Sequence, residues 1–319
     1  MKRIGVLTSG GDSPGMNAAI RSAVRYALNH DIEAMGIFRG YAGLLNEDMK
    51  LFGHRSVSNI INRGGTILKT ARCPEFMTEE GQKRAVDVIK KNKIDGMILI
   101  GGDGTYRGAI TLSRKWNIPS IGVPGTIDND INGTDSTIGS DTAVNTALDA
   151  IDKIRDTATS MERIFVVEVM GRDSGFIAMQ VGMGGGVEDI LVPERKFNLL
   201  DMCHDIVEGN VRGKISWIIV VAEGAGKAAD IAKKITETTS LETRVVVVGH
   251  VQRGGSPTAR DRILGTVLGS AAVELLIKGQ TGKAVGVISN ELNVVELEDA
   301  IKPKPTKINQ LYELMRMLT

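Results

Sequence analysis

A short pattern recurs along this sequence and constrains its fold more than any other feature: an apolar strand, then a glycine turn, then a helix. Residues 2–8 are strand-like, residues 9–15 contain three glycines and a proline, and residues 16–28 have helical periodicity. Further glycine turns follow the strand-like segments 96–100, 120–123, 164–169, 215–222 and 244–248.

The repeated pattern indicates an α/β fold. Strands rich in Val and Ile that alternate with helices are typical of parallel sheets with crossover helices. With 319 residues, about twice an average domain, the chain is expected to form two doubly wound, Rossmann-like α/β/α domains. We expect a long helix over about 141–157 to link the halves and an amphipathic helix over 308–318. Ligands of such folds bind at the carboxyl ends of the strands, where the glycine turns lie.

Composition excludes several classes of function. Lys plus Arg total 39 and Asp plus Glu 38, a net charge of +1, which argues against nucleic acid or an anionic membrane as the main partner. Two cysteines and four scattered histidines form no disulfide framework and no zinc-ligand spacing. No apolar run approaches the roughly 20 residues of a membrane span, and the strand-like start leaves no room for a signal peptide. We therefore expect a cytoplasmic protein.

The chain has 38 glycines, more than an average protein of this length, and several of them lie at turns suited to phosphate. Gly10, Gly11 and the segment 101–105 place backbone N–H groups at predicted helix starts, where a missing side chain lets a polyanion approach. The Asp103 carboxylate would suit Mg²⁺. One such turn alone is explained by strand-to-helix geometry, whereas five, two of them carrying an Asp, favour a phosphate site.

Two carboxylates follow the strand-like segment 120–123. Asp128 and Asp130 are two residues apart, and one could act as a general base while the other holds a metal ion. Asx turns that cap a loop are the alternative explanation.

Arginines lie beside the same strands and turns. Guanidinium groups bind phosphate through two hydrogen bonds, so several of them at strand ends indicate phosphorylated ligands, whereas each alone is more often a solvated charge. The set comprises Arg72, Arg163, Arg172, Arg244 and Arg253, with His250 nearby. Arg21 and Arg25 share one helix face and could hold a further anion with Arg155, although a solvated face explains them equally well.

These motifs together closely resemble the bacterial ATP-dependent 6-phosphofructokinase family over essentially the whole chain. The matching segments are 7–17, 70–73, 100–104, 124–130, 170–172 and 249–257. The Gly-Gly-Asp-Gly-Thr element at 101–105 alone is shared with NAD kinases and lipid kinases, whereas the others together are specific to phosphofructokinases. The resemblance implies an ATP-binding domain over 1–138 and 252–305, a fructose 6-phosphate domain over 139–251 and 306–319, and an active site in the cleft between them.

The resemblance also implies the chemistry of a phosphotransferase of glycolysis. Asp128 would remove the proton from the 1-hydroxyl of fructose 6-phosphate, which attacks the γ-phosphate of MgATP to give fructose 1,6-bisphosphate and ADP. Thr126 would help to position the transfer. Arg172 and Arg72, with the Gly11 amide, would neutralise the charge that develops on the transferred group.

Binding residues follow from the same resemblance. ATP would contact Gly11, Tyr41, Arg72, Cys73, Gly102, Asp103, Gly104 and Thr105, and Mg²⁺ would be held by Asp103 and Asp130. The sugar phosphate would contact Thr126, Ile127, Asp128, Arg163, Met170, Gly171, Arg172, Glu223, Arg244, His250, Val251, Gln252 and Arg253. Arg163 and Arg244 would come from a neighbouring subunit, which implies a homotetramer.

The phosphoryl donor depends on two glycines. Pyrophosphate-using relatives carry Asp and Lys at the positions of Gly104 and Gly125, where these side chains would crowd the α-phosphate of ATP. Because both are glycine here, ATP is the expected donor. Met77 stands where a basic residue is common and is expected to alter ATP affinity.

An effector site is implied as well, with ADP as activator and phosphoenolpyruvate as inhibitor. Its residues would be Arg21, Arg25, Arg155, Gly186, Glu188, Arg212 and Lys214. Asn59, Ile215 and Ser216 depart from the pattern of relatives, so the sequence leaves the strength and direction of the response open.

Two other functions are compatible with parts of this pattern. A pyrophosphate-dependent or other sugar-phosphate kinase is the nearest enzymatic alternative, and a nucleotide-binding regulatory protein is the alternative from another class. The intact set of Asp128, Thr126 and Arg172 argues against a pure binding module, which has no use for a base at that position.

Overall fold

The computed structural model describes residues 1–305 and 308–318. In that part of the chain the strands are β1 (Arg3–Thr8), β2 (Glu33–Ile37), β3 (Met49–Phe52), β4 (Gly96–Gly101), β5 (Ser120–Pro124), β6 (Ile164–Val169), β7 (Asp189–Leu191), β8 (Trp217–Ala222), β9 (Thr243–Val247), β10 (Lys283–Ile288) and β11 (Glu291–Glu296). The helices are α1 (Met16–Leu28), α2 (Gly40–Leu45), α3 (Glu79–Lys91), α4 (Asp103–Ile110), α5 (Ser140–Met161), α6 (Phe176–Gly185), α7 (Leu199–Val211), α8 (Ala228–Thr239), α9 (Ala259–Ile277), α10 (Leu297–Ala300) and α11 (Ile308–Leu318). None of these helices is long and apolar enough to cross a membrane.

The chain divides into two compact units. The first comprises Met1–Thr142 and Arg253–Pro305, and the second comprises Ala143–Gln252 with α11. The division falls within α5. Residues 306, 307 and 319, which the predicted sugar-phosphate domain includes, lie outside the described residues.

The unit boundaries differ slightly from the predicted domain boundaries. Residues 139–142 belong to the first unit rather than the second, because the buried carboxylate of Asp261 accepts hydrogen bonds from the backbone N–H groups of Gly139 and Thr142, both at 2.8 Å. Gln252 belongs to the second unit, where its side-chain oxygen accepts a hydrogen bond from the Met170 N–H at 2.9 Å.

The first unit is built on a seven-stranded sheet in the order β11-β10-β5-β4-β1-β2-β3. Alternate residues of β4 face opposite sides, so that Ile98 and Ile100 join one buried apolar cluster while Met97 and Leu99 join another. Both faces are therefore covered by helices, as the sequence predicted. On one face α1 approaches α9 closely, since a Cβ at Gly269 would lie 2.4 Å from the Ala19 carbonyl oxygen.

The edges of this sheet contain antiparallel pairs, which the sequence did not predict. β2 pairs antiparallel with β3, and β10 pairs antiparallel with β11. The second pair is a hairpin with a two-residue turn, Ser289 and Asn290, both at positive φ (53° and 66°). Such a turn fixes the antiparallel direction, because a parallel connection needs a crossover of a dozen or more residues.

The second unit is built on a four-stranded parallel sheet in the order β7-β8-β6-β9. Glu168 on β6 is buried, and its Oε2 accepts a hydrogen bond from the Ala228 N–H at 2.8 Å. This carboxylate satisfies an N–H group that the first turn of α8 leaves without an intrahelical partner.

Candidate active site

Three glycine turns lie side by side at the carboxyl ends of β1, β4 and β5, which are neighbours in the sheet. The Ser9 N–H donates to the Ile100 carbonyl at 3.1 Å, and the Gly125 N–H donates to the Gly101 carbonyl at 3.1 Å. The Thr105 hydroxyl donates to the Ser9 carbonyl at 3.0 Å. Parallel pairing therefore brings together turns that are far apart in the sequence, as predicted.

Helix α4 begins at Asp103, directly after β4, and the space beside its first turn is open. A Cβ at Gly104 would have no atom within 4 Å, and one at Gly102 would lie 3.6 Å from the nearest atom, in Thr126. The Asp103 carboxylate lies 3.8 Å from Arg107 Nε. N–H groups at a helix start with room in front of them suit a phosphate group.

The loop after β5, residues 125–131, carries the predicted base. Thr126 and Asp128 are 8% and 6% exposed, and the Thr126 Oγ1 accepts a hydrogen bond from the Asp128 N–H at 3.2 Å. Thr137 Oγ1 donates to the Thr126 carbonyl at 2.6 Å. A carboxyl group fixed on a buried loop is in a position to exchange a proton with a bound hydroxyl group.

Asn129, between the two predicted carboxylates, organises this loop and was not singled out from the sequence. It is 5% exposed and has a φ of +50°, a conformation that Asn tolerates better than most residues. Its Nδ2 donates to the Asp135 carbonyl at 3.0 Å, and its Oδ1 accepts from the Thr137 N–H at 3.1 Å. The only sequence signal was its place between two acidic residues after a strand.

Gly11 lies against an arginine. A Cβ at Gly11 would fall 2.1 Å from Nη1 of Arg253, and that nitrogen donates to the Asp12 carbonyl at 3.2 Å. At Gly125 a Cβ would lie 2.9 Å from Met16 Cε. Both glycines were predicted to leave space for a phosphate, and in the structure each also makes room for a side chain of the protein.

Tyr41, predicted to lie near the nucleotide base, is buried in the first unit. Its hydroxyl donates to the Thr105 carbonyl at 2.7 Å, its ring stacks on Phe76 with centroids 4.2 Å apart, and burial raises its pKa. Tyr41 therefore stabilises the first turn of α4 through its hydroxyl group. Arg72 is exposed and Cys73 is half-buried.

In the second unit, the turn after β6 is held by two acceptors. Glu223 Oε1 accepts from the N–H groups of Gly171 and Arg172 at 3.2 and 2.8 Å, and Gln252 accepts from Met170. Arg172 has a φ of +57°, an uncommon backbone conformation that these contacts maintain. Glu223, predicted as a sugar contact, thus also fixes the backbone of the predicted catalytic arginine.

Arg163 and Arg244 share one counter-ion, Glu242. Arg163 Nε donates to Glu242 Oε2 at 2.8 Å, and the Arg244 guanidinium bonds the other carboxylate oxygen. β6 and β9 pair in parallel, with Phe165 opposite Arg244, which brings the two arginines to the same end of the sheet. Glu242 was not predicted as a site residue, although its place two residues before Arg244 was a usable signal.

The remaining predicted sugar-phosphate residues of this unit lie in a short 3-10 turn over Gly249–Arg253. His250 and Val251 are exposed, whereas Gln252 is fully buried.

Four of the predicted effector residues surround or adjoin a cavity of about 360 Å³ in the second unit. Glu188, Arg212 and Lys214 line it, and Lys214 Nζ lies 3.5 Å from Glu188. Arg212 pairs with Glu208, another lining residue, at 2.9 Å. Gly186 lies two residues before Glu188, and its carbonyl accepts a hydrogen bond from Arg155 at 2.7 Å.

Arg21 and Arg25 belong to the first unit, on α1. Both are half-buried, and burial together with the neighbouring Arg25 charge lowers the pKa of Arg21. Of the departures noted in the sequence, Met77 is 81% exposed and Asn59 has a φ of +55°.

Asp103 and Asp130, the predicted magnesium ligands, supply carboxylate oxygens, which Mg²⁺ prefers as ligands. Within residues 1–305 and 308–318, no group of three or more His, Cys, Asp or Glu side chains could form a protein-only metal site. Mg²⁺ is usually bound by one or two carboxylates together with substrate phosphates, and both aspartates are half-buried in the first unit.

Comparison with known proteins gives consistent matches. The sequence model of the family described as phosphofructokinase matches residues 3–276. Proteins named ATP-dependent 6-phosphofructokinase from Bacillus mycoides (strain KBAB4) and Bacillus thuringiensis (strain Al Hakam) are 55% and 54% identical over 319 residues, covering 100% of both chains in each case. The solved structure of phosphofructokinase from Saccharomyces cerevisiae superposes with a TM-score of 0.90 at 33% identity. The match covers 100% of this chain and 48% of the yeast chain, so this chain spans about half the length of the yeast protein.

Proposed function

Because the chain belongs to the phosphofructokinase family, we propose that it transfers the γ-phosphoryl group of ATP to the 1-hydroxyl of fructose 6-phosphate. The products are fructose 1,6-bisphosphate and ADP, and the reaction is a step of glycolysis. The observation that carries the proposal is the buried Asp128 on the loop after β5, beside two glycine turns that suit phosphate.

Asp128 acts as the general base in this proposal. Its carboxylate accepts the proton of the 1-hydroxyl as the oxygen attacks the γ-phosphorus, and the β–γ bridging oxygen leaves with ADP. Thr126 holds the loop through its hydrogen bond to the Asp128 N–H. Arg172 and Arg72 stabilise charge on the transferred group, and the Gly11 amide contributes to this. Mg²⁺, held by Asp103 and Asp130, would neutralise charge on the phosphates.

ATP binds over the glycine turns of the first unit, at Gly11, Gly102, Gly104 and Thr105, with Arg72 and Cys73 beside it. The open space at Gly104 supports ATP as donor, because nothing there would crowd the α-phosphate. The adenine base of ATP lies near Tyr41. The Tyr41 ring is buried, and its contact with adenine stays a prediction.

Fructose 6-phosphate binds through its phosphate to His250 and Arg253 and through its sugar to Met170 and Glu223. Thr126, Gly171 and Val251 line the same site, and the fully buried Ile127 and Gln252 support it without an exposed surface of their own. Arg163 and Arg244 of a neighbouring subunit complete the phosphate site in a homotetramer. Two features support an assembly there. β9 is an edge strand of its sheet, and its Val245 and Val247 are 40% and 59% exposed.

The cavity lined by Glu188, Arg212 and Lys214 is proposed as part of an effector site for ADP and phosphoenolpyruvate, completed by Arg155 and Gly186 and by Arg21 and Arg25. Both ligands are anions that carry phosphate, which suits a site with several guanidinium and ammonium groups. We also propose a cytoplasmic location.

The proposal is tested by an assay of the purified protein with fructose 6-phosphate and either ATP or pyrophosphate. We expect fructose 1,6-bisphosphate to form with ATP and no measurable product with pyrophosphate. Product formed with pyrophosphate alone would assign the pyrophosphate-dependent reaction, and nucleotide binding without turnover would assign a regulatory protein. Repeating the ATP assay with added ADP and phosphoenolpyruvate tests the effector site.

A further inference from the structure

Lys304 reaches the loop that carries Asp128 from a distant part of the sequence. It is half-buried, and its Nζ donates to Asn129 Oδ1 at 2.9 Å and to the Asp135 carbonyl at 3.4 Å. All three residues belong to the first unit. No motif in the sequence pointed to this lysine.

The atom that Lys304 contacts is central to the loop. Asn129 Oδ1 also accepts the Thr137 N–H, and Asn129 Nδ2 donates to the same Asp135 carbonyl that Lys304 contacts. The Asn129 carboxamide therefore fixes the backbone between Asp128 and Asp130, and Lys304 adds a charged donor to it.

The backbone of Lys304 is restricted by its neighbours. Pro303 and Pro305 flank it in the sequence. Proline has a fixed φ, and a residue before proline is confined to extended conformations, so fewer conformations are lost when Lys304 is held in place.

Burial disfavours the charged form of Lys304, which distinguishes it from an ordinary surface lysine. Burial lowers its pKa to about 8, against the opposing effect of the Asp135 and Asp130 charges. Lys302, two residues earlier, is different. It is exposed, and its Nζ bonds Asp299, three residues back, at 2.6 Å.

We propose that Lys304 is a positioning residue of the phosphoryl-transfer site: through Asn129 it holds the loop that presents Asp128. This inference rests on the proposed function. The geometry of this loop affects the chemical step more than it affects substrate binding. Misplacement of a catalytic group by about 1 Å can lower the rate about 100-fold.

Lys304→Met tests the role, because Met keeps the apolar stem and removes the donor. Lys302→Met is the matched control. We expect Lys304→Met to lower kcat about tenfold while the KM values for ATP and fructose 6-phosphate change less than threefold, and Lys302→Met to match the wild type. Equal kcat values for all three proteins, or a change confined to KM, would overturn the proposal.

A double-mutant cycle tests the path through Asn129. Asn129→Gly removes the carboxamide and keeps the positive φ accessible. If Lys304 acts through Asn129, Lys304→Met added to Asn129→Gly lowers kcat no further, whereas multiplicative losses would refute that path. Circular dichroism checks that each variant is folded. If Lys304→Met does not fold, Lys304→Gln, which is one atom shorter and removes the charge, takes its place with the same expected loss. An inactive wild type would refute the proposed function instead.

Discussion

The Arg253 guanidinium lies against the backbone of Gly11, so closely that a methyl group on Gly11 would fall 2.1 Å from its Nη1. Arg253 is proposed to bind the sugar phosphate, and Gly11 is proposed to lie under ATP. The contact therefore joins two residues of the first unit that are assigned to different substrates, and the Arg253 hydrogen bond to the Asp12 carbonyl reinforces it.

Gly11→Ala is expected to displace Arg253 without unfolding the protein, because the atom in conflict is the far end of a flexible side chain. Hydrogen bonds to charged groups contribute about 1.5–3 kcal/mol, so the KM for fructose 6-phosphate should rise about 10- to 100-fold. This KM is measured by steady-state kinetics. Gly53→Ala is the control, since its methyl group would meet no atom within 4 Å and Gly53 lies in no proposed binding site. Equal KM values for fructose 6-phosphate in the two variants would contradict the link between Gly11 and Arg253.

Gly104→Asp is expected to weaken the binding of ATP. The protein itself leaves room for the side chain, and an acidic residue in the first turn of α4 is compatible with the helix dipole, so the melting temperature should fall little. The carboxylate would repel the α-phosphate, and we expect the KM for ATP to rise at least tenfold. Gly104→Asn, of equal size but neutral, separates charge from volume. If both variants raise KM equally, crowding rather than repulsion is the cause.

Asp128→Asn is expected to lower kcat about 10²- to 10⁴-fold, the range that general-base catalysis supplies, while ATP binding changes little. Asn keeps the size of the side chain on this buried loop and removes its capacity to take a proton. Turnover is measured with both substrates saturating, and ATP binding is measured by calorimetry. Near-normal turnover would show that another group is the base.

Much of the fold and part of the site could be predicted from the sequence, because both depend on local patterns. The strand and glycine-turn order predicted the parallel strands and placed Asp103 and Asp128 at neighbouring strand ends. The antiparallel edges were missed, since a short turn such as Ser289-Asn290 carries only a weak local signal.

The contacts that could not be predicted join residues far apart in the chain. Arg253 with Gly11 and Lys304 with Asn129 are set by which strand ends meet in space. Glu242 is close to Arg244 in the sequence, but its bond to Arg163 depends on the pairing of β6 with β9. Spacing predicts residues on one element, whereas partners across elements require the register of the sheet.

The second unit contains a buried acid, Asp189. Asp189 is 6% exposed and, like Glu188, lines the cavity of the second unit. Its Oδ1 accepts from the Ile190 N–H at 2.8 Å and from the Tyr312 hydroxyl of α11 at 3.1 Å. Burial raises the pKa of Asp189, against the opposing effect of these hydrogen bonds and of Arg316.

Asp189→Asn is expected to gain stability relative to the wild type as the pH rises. The folded-state pKa of Asp189 lies above its unfolded value of about 3.9, so the folded protein binds the extra proton. In the wild type, protonated Asp189 adds to the free energy of unfolding. This contribution is fully present below the unfolded-state pKa and is lost as the pH rises through the folded-state pKa. Asn keeps the acceptor for Ile190 and Tyr312 and does not ionise. The melting temperature of the variant minus that of the wild type should therefore increase from about pH 4 to pH 7. The exposed Asp156→Asn is the control, and an equal trend in both variants would refute a specific effect of the buried acid.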